Sequence, residues 1–280
     1  MMYSVEAYAK LNLFLSVTAR RADGYHDIDS VMQQVSLSDT LKLEPLDAGI
    51  KLTCSDTTIP CDKTNLAWRA AEAFFAYTGH TGSLHIHLSK GIPMQAGLAG
   101  GSTDAAAVLV GCNQLFHTNL STETLCDIGA RIGADVPFCI RGGAARTEGI
   151  GEVITPCTPL PACTIVIAIG DVGVCTKDAY ALVDKYPVPP RSADAMLAAL
   201  DSGSLAAISA AGYNVFSAVA PPSVEPLRVR MESLGADFAM MSGTGSSVFG
   251  LFAENEVAQR ACTALQADGY RAYICSPIRR

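Results

Sequence analysis

Residues Pro93, Met94, Gln95, Ala96, Gly97, Leu98, Ala99, Gly100, Gly101, Ser102, Thr103 and Asp104 run directly into three alanines, Ala105 to Ala107. Glycines at 97, 100 and 101 let a backbone take positive φ and come close to a ligand. The alanine run is a strong helix former, and Ser102 or Thr103 can cap it. The first amides of such a helix lack internal acceptors and sit at the positive end of its dipole. A phosphate binds there without a nearby lysine. The stretch therefore reads as an anion-binding loop, most simply for a nucleotide phosphate, against the plainer reading of a turn into a buried helix. It is no P-loop, because no Gly-Lys-Ser/Thr occurs, and its glycines do not follow the G-x-G-x-x-G order.

Other residues carry chemistry of their own. Lys10 stands in the apolar stretch "AYAKLNLFL", where an ammonium is costly to bury unless paired. Asp135, in "GADVPF", precedes Pro137 and suits a helix N-cap. Tyr25 and His26 follow Asp23-Gly24 in a loop, where such a pair is ordinarily surface. His85 and His87 alternate along "SLHIHLSK" and read as ordinary strand residues, with no third metal ligand evident.

The chain that must position these groups has 280 residues, 49% of them hydrophobic and 17% charged, enough for a substantial core in one large or two ordinary domains. A net charge of −7 disfavours broad nucleic-acid binding, which needs a basic face. The longest apolar run, "CTIVIAIG", falls far short of the ~20 residues that span a membrane. "MMYSVEAYAKLN" has no apolar signal core. The ten cysteines, without any C-x-x-C pair, then read as reduced residues, largely in the core of a cytoplasmic protein.

Alternation predicts strands over 3–18 and over 28–45, the latter broken at "LSDT", then over "KLTCSD" and "SLHIHLSK". Between these two lies a helix capped by Thr64 or Asn65, with Ala67, Ala70, Ala71, Phe74 and Phe75 as its apolar stripe and Gly79 as its stop. Helices follow at about 102–116 and 122–131. The Pro-rich passage 155–163 is the best domain boundary. Beyond it come a strand at 164–169, a helix at 177–185, helices from about 192 to 219, a helix at 223–234, strands at 236–241 and 246–252, a helix at 255–267 capped by Asn255, and a strand at 270–275. This is an α+β pattern with antiparallel sheets.

Four stretches taken together resemble the GHMP small-molecule kinases, named for galactokinase, homoserine kinase, mevalonate kinase and phosphomevalonate kinase. They are "AYAKLNLFLSVTARRADGYHDIDS", "PMQAGLAGGSTDAAA", "GADVPFCIRGGAA" and "MSGTGSSVFG". The resemblance spans roughly residues 3 to 275. The pairing of Lys10-x-Asn12 with Asp23-Gly24-Tyr25-His26 narrows it to the branch that acts on a cytidine diphosphate sugar alcohol. It implies a two-domain fold: an N-terminal ATP-binding domain, 1–156, like domain 2 of ribosomal protein S5, and a ferredoxin-like C-terminal domain, 157–280.

The same resemblance implies transfer of the ATP γ-phosphate to a hydroxyl. Lys10 matches the catalytic lysine and Asp135 the catalytic aspartate. Asn12, Tyr25, His26, Thr176 and Tyr180 match substrate contacts, with Tyr25 and His26 at the cytosine. Pro93 to Asp104 would hold the phosphates, and Asn65 and Leu66 would meet the adenine. Gly243 to Ser247 form the third family motif, shaping the site. Ala99 stands where these kinases often have glycine, which alanine can replace if φ stays negative; Thr103 replaces a frequent serine, and Gln95 has no ready explanation. Mg²⁺ is implied as the ATP complex; the sequence identifies no dedicated metal ligand, and Ser102 and Asp135 are candidates. The rivals are a kinase for another small alcohol such as homoserine, a catalytically silent ligand-binding relative, and a structural protein, for which the glycine loop has no use.

Overall fold

The computed structural model describes residues 2–80, 83–170 and 175–279. The first residue of the "VCTKDAY" stretch, Val174, lies outside them. The chain forms two compact units, each assembled from separate segments: Met1–Ala9, Ser38–Pro93 and Ala99–Gly142 in the first, and Lys10–Leu37, Met94–Leu98 and Gly143–Arg280 in the second. Two long strands, β1 (Tyr3–Arg20) and β2 (His26–Leu46), contribute to both.

In the first unit the later half of β2 pairs antiparallel with β4 (Ser83–Ser89), which pairs parallel with β3 (Ile50–Cys54). Alternation buries Leu41, Leu43, Leu52, Leu84, Ile86 and Leu88 on one face. Helix α1 (Leu66–Thr78) buries Ala67, Ala70, Ala71 and Phe74, while Phe75 sits at the margin, edge-on to Phe116. Asn65 is its cap, accepting from the amide of Ala67, and Gly79 ends it at φ 65°. Helices α2 (Gly100–Leu115), α3 (Thr122–Ala130) and α4 (Val136–Arg141) complete the unit.

The break expected at "LSDT" is absent, and β2 runs through it. Asp39, fully buried there, accepts from the amides of Gly91 (2.7 Å) and Ile92 (2.8 Å) and pairs with Lys90. Those donors are what let an aspartate stay inside a strand.

In the second unit the earlier half of β2 pairs with β5 (Ala144–Gly149), which returns in β6 (Val153–Pro156). This hairpin escaped the sequence reading because its strands, six and four residues long, are too short to show an alternating period. A separate sheet follows: β7 (Thr164–Ile169), then α5 (Thr176–Lys185), α6 (Asp194–Ser202), α7 (Leu205–Ala211), the short β8 (Tyr213–Asn214) beside β1, a 3₁₀ turn over Val215–Val219, α8 (Val224–Ser233), β9 (Phe238–Met241), β10 (Ser247–Phe252), α9 (Asn255–Ala267) and β11 (Arg271–Cys275). The order β11-β7-β10-β9, antiparallel throughout, is that of a ferredoxin-like sheet. Helix α9 lays Ala258, Ala261 and Leu265 into the core with Leu227, Met231 and Phe252. Asn255 does not cap it: Glu254 holds the N-cap position, and the Asn255 amide oxygen accepts from Thr164.

No disulfide joins the ten cysteines; five of them are buried, and Cys61 and Cys175 are exposed. Among the described residues no helix is long and apolar enough to cross a membrane.

Candidate active site

In the first unit α2 begins at Gly100, two residues earlier than expected. Neither proposed hydroxyl caps it. The N-cap residue is Ala99, without a side-chain bond, and the Thr103 hydroxyl donates instead to the carbonyl of Tyr8 at 2.7 Å. The amide of Thr103 closes the first helical bond, to Ala99, so those of Gly100, Gly101 and Ser102 precede the ladder. The helix start is thus an open row of donors at the positive pole of a 16-residue helix.

Gly100 and Gly101 are helical rather than left-handed; their need is for space. A Cβ on Gly101 would lie 3.4 Å from Leu66, which places Leu66 over the first turn of α2. Asn65 spends its amide on capping and on the carbonyl of Pro60. Ala99 takes φ 59° and Gln95 φ 51°, so the condition set for an alanine at 99 is not met. Both are left-handed positions that cost an L residue free energy, a strain that clusters at functional loops. Nothing in the structure accounts for a glutamine at 95.

The acidic end of the motif turns inward. Asp104 is 3% exposed and bonds Lys90, which also pairs with Asp39. Two carboxylates share one ammonium in a buried place, and desolvation, with Asp39 alongside, raises Asp104 to about 8. Lys90 is held above its usual range by the two acids despite its burial. Lys90 and Asp39 thereby anchor the entry to the loop and the start of α2, a role the sequence reading did not assign. Asp135 stands at the N-cap position of α4, half-buried, without the capping bond expected of it. A Cβ on Gly133, two residues before it, would lie 3.7 Å from Ser102 Oγ, so the Asp135 turn begins beside the α2 terminus.

In the second unit Lys10 is 5% exposed, and its Nζ donates to Asn12 Oδ1 at 2.5 Å. The amide orientation follows from a chain of bonds. Ser30 Oγ gives its proton to the carbonyl of Phe14 (2.7 Å), so it accepts from Asn12 Nδ2 (2.9 Å). That leaves Oδ1 as the acceptor aimed at the ammonium. Ser242 Oγ accepts from the Asn12 amide and donates to the carbonyl of Gly97.

The loop at Met94–Leu98 is fastened to the third motif. Ser247 Oγ donates to Ala96 at 2.5 Å, and a Cβ on Gly97 (φ 75°) would lie 2.0 Å from the Ser242 carbonyl. Only glycine fits there. The third motif is the β9–β10 turn, held by Asn214, whose amide donates to the carbonyls of Met241 and Gly243 at 2.8 Å each. Pro93 is buried, whereas Met94 and Gln95 are exposed.

The residues expected at a cytosine also gather in this unit. Tyr25 is 59% exposed at the end of a turn closed by the Arg21 amide on its carbonyl. His26 Nε2 lies 2.7 Å from Asp184, and its ring stacks on Tyr180 at 4.7 Å and 28°. Phe216 meets Tyr180 edge-on. Thr176 opens α5, exposed, on the same helix as Tyr180 and Asp184. Asp184, Ser30 and Ser242 escaped the sequence reading because they lie 158, 18 and 230 residues from their partners.

Comparison with known proteins supplies the family. The GHMP kinases N terminal domain matches residues 65–143, and the GHMP kinases C terminal domain matches 193–271. The chain is 39% identical over 274 residues to the 4-diphosphocytidyl-2-C-methyl-D-erythritol kinase of Exiguobacterium sibiricum, covering 96% of each chain. It is 41% identical over 267 residues to the same-named protein of Caldicellulosiruptor saccharolyticus, covering 94% of this chain and 92% of that one. A crystal structure of 4-(cytidine 5'-diphospho)-2C-methyl-D-erythritol kinase superposes with a TM-score of 0.83 at 35% identity, over 98% of each chain. The chain belongs to the GHMP kinases, in the 4-diphosphocytidyl-2-C-methyl-D-erythritol kinase family.

Proposed function

We propose that this protein transfers the γ-phosphoryl group of ATP to the 2-hydroxyl of 4-diphosphocytidyl-2-C-methyl-D-erythritol, in the non-mevalonate route to isoprenoid precursors. The observation that carries this reading is the near-full-length identity with relatives of that name, joined to Lys10 and Asn12 standing in a buried, oriented pair. We read 1–156 as the ATP-binding domain and 157–280 as the C-terminal domain, in keeping with family matches that fall on either side of that boundary.

In this reading the ATP phosphates rest on the amides of Gly100, Gly101 and Ser102, within the loop Pro93–Asp104. Adenine lies against Asn65 and Leu66, where Leu66 already covers the first turn of α2. The cytosine stacks on Tyr25, an exposed ring. His26, fixed by Asp184 and Tyr180, reads the edge of the base, and Asn12, Thr176 and Tyr180 complete the substrate site. Lys10 stabilises charge developing on the phosphoryl group. Asp135 orients the acceptor hydroxyl and takes its proton as the new O–P bond forms and ADP departs; in a loose transition state that proton leaves late.

Oxygen donors suit Mg²⁺. Ser102 and Asp135 supply them on neighbouring turns and would hold the ion that accompanies ATP, which neutralises phosphate charge. The protein acts in the cytoplasm on these two small molecules, with no nucleic-acid or membrane partner.

Phosphorus NMR of the product tests the reading. The 2-hydroxyl is tertiary, so its phosphate has no proton on the attached carbon. A new phosphomonoester resonance without vicinal proton splitting is expected, and a split resonance would place the phosphate on another hydroxyl.

A further inference from the structure

The two histidines of β4 gain in the fold the third ligand they lack in sequence. On β4, His85 and His87 point to the same face, opposite the buried leucines. Their ring centroids are 3.7 Å apart. The antiparallel register sets Glu44 of β2 directly across from His85, and Glu44 Oε2 lies 3.6 Å from His87 Nε2. One ligand atom from each of Glu44, His85 and His87 lies within 4.8 Å of the others. Thr53, opposite His87 on β3, puts its hydroxyl 3.1 Å from His87 Nδ1 and 3.2 Å from His85 Nε2.

We propose that Glu44, His85 and His87 form a divalent-metal site of the zinc type on the three-strand face of the first unit. Two imidazoles and one carboxylate are a recurrent Zn²⁺ donor set, leaving a fourth position for water. The geometry asks for little movement. Backbone pairing fixes all three residues on one pleated surface, and ligand atoms 4.8 Å apart need only rotamer adjustment to converge at bonding distance.

Thr53 supplies the outer support. By engaging His87 at Nδ1 it leaves Nε2, the nitrogen facing Glu44, for the ion. Lys42, opposite His87, and Lys51, opposite His85, are the cations of this face and oppose the charge of an ion. The carboxylate of Glu44 offsets part of that repulsion. The residues proposed for phosphoryl transfer are not among these groups, so the site is independent of the kinase reading.

The chain has five histidines, which makes the test direct. Long-range proton–nitrogen spectra of ¹⁵N-labelled, chelator-treated protein resolve each ring while Zn²⁺ is added alone. The ring nitrogens of His85 and His87 should shift together and saturate near one equivalent. His87→Ala should weaken Zn²⁺ binding at His85 by at least about tenfold, and Thr53→Val, which keeps every ligand, by about tenfold. Saturation at other histidines or at cysteines, with these two rings unmoved, overturns the proposal. So does unchanged affinity in the His87→Ala variant.

Discussion

Lys10 shows how one side chain depends on the neighbours that orient its partner. Its ammonium is buried at the cost that accompanies any desolvated charge, and Asn12, itself oriented by Ser30, offsets part of that cost. Lys10, Asn12 and Asp135 stand in motifs visible in the sequence. The Ser30 hydroxyl that orients the Asn12 amide was not legible, because serine carries no signal until the fold brings it close. At this scale Lys10→Ala and Asp135→Ala should each lower kcat by about 10² or more while ATP binding stays near normal, as expected for groups that act on the transition state. Steady-state turnover with a parallel nucleotide titration checks this. Near-normal turnover in either variant removes that residue from the chemistry.

The loop-to-helix element was read correctly as a helix start with open amides and incorrectly in its detail. Sequence suggests a hydroxyl cap because Ser102 and Thr103 stand in the right place. Tertiary structure instead draws Thr103 to Tyr8 and starts the helix two residues earlier. Ala99 is left at φ 59°. The left-handed penalty of roughly 1–2 kcal/mol exceeds the entropic cost of glycine, roughly 0.5–1 kcal/mol. Ala99→Gly should therefore stabilise the protein by about 0.5–1 kcal/mol in denaturant unfolding, with turnover retained.

Within the same helix, Asp104 carries a prediction about pH. Its carboxyl titrates near 3.8 in an unfolded chain and is raised to about 8 in the fold. Between those values the folded state holds a proton that the unfolded state has released. Stability from this group is thus full below pH about 4 and is lost as pH rises towards about 8. Asp104→Asn removes the titration, so its Tm should fall less than that of the parent across this window. Equal pH slopes in the two proteins would show that Asp104 is ionised in the fold. The unbroken β2 and the β5–β6 hairpin belong to this scale as well. The first was hidden by an aspartate that only its buried donors make tolerable, the second by strands too short to show a period.

At the scale of the molecule, the α+β class, the antiparallel sheet of the second unit and most helix positions were legible, because apolar period and glycine stops mark long elements clearly. The assembly of each unit from separate segments was not, since β1 and β2 are long enough to serve both and no composition change marks where one strand passes between them. Substrate choice is likewise a property of the whole chain. His26 meets Asp184 across 158 residues of sequence, with the Tyr180 ring stacked on its imidazole.

The most direct measurement is ADP release from ATP and Mg²⁺ by the purified protein, offered 4-diphosphocytidyl-2-C-methyl-D-erythritol, homoserine, mevalonate and galactose in turn. Turnover with the cytidine diphosphate alone is the predicted result. Turnover with another of these alcohols in its place would contradict the cytosine site, and silence with all four despite ATP binding would contradict the kinase itself.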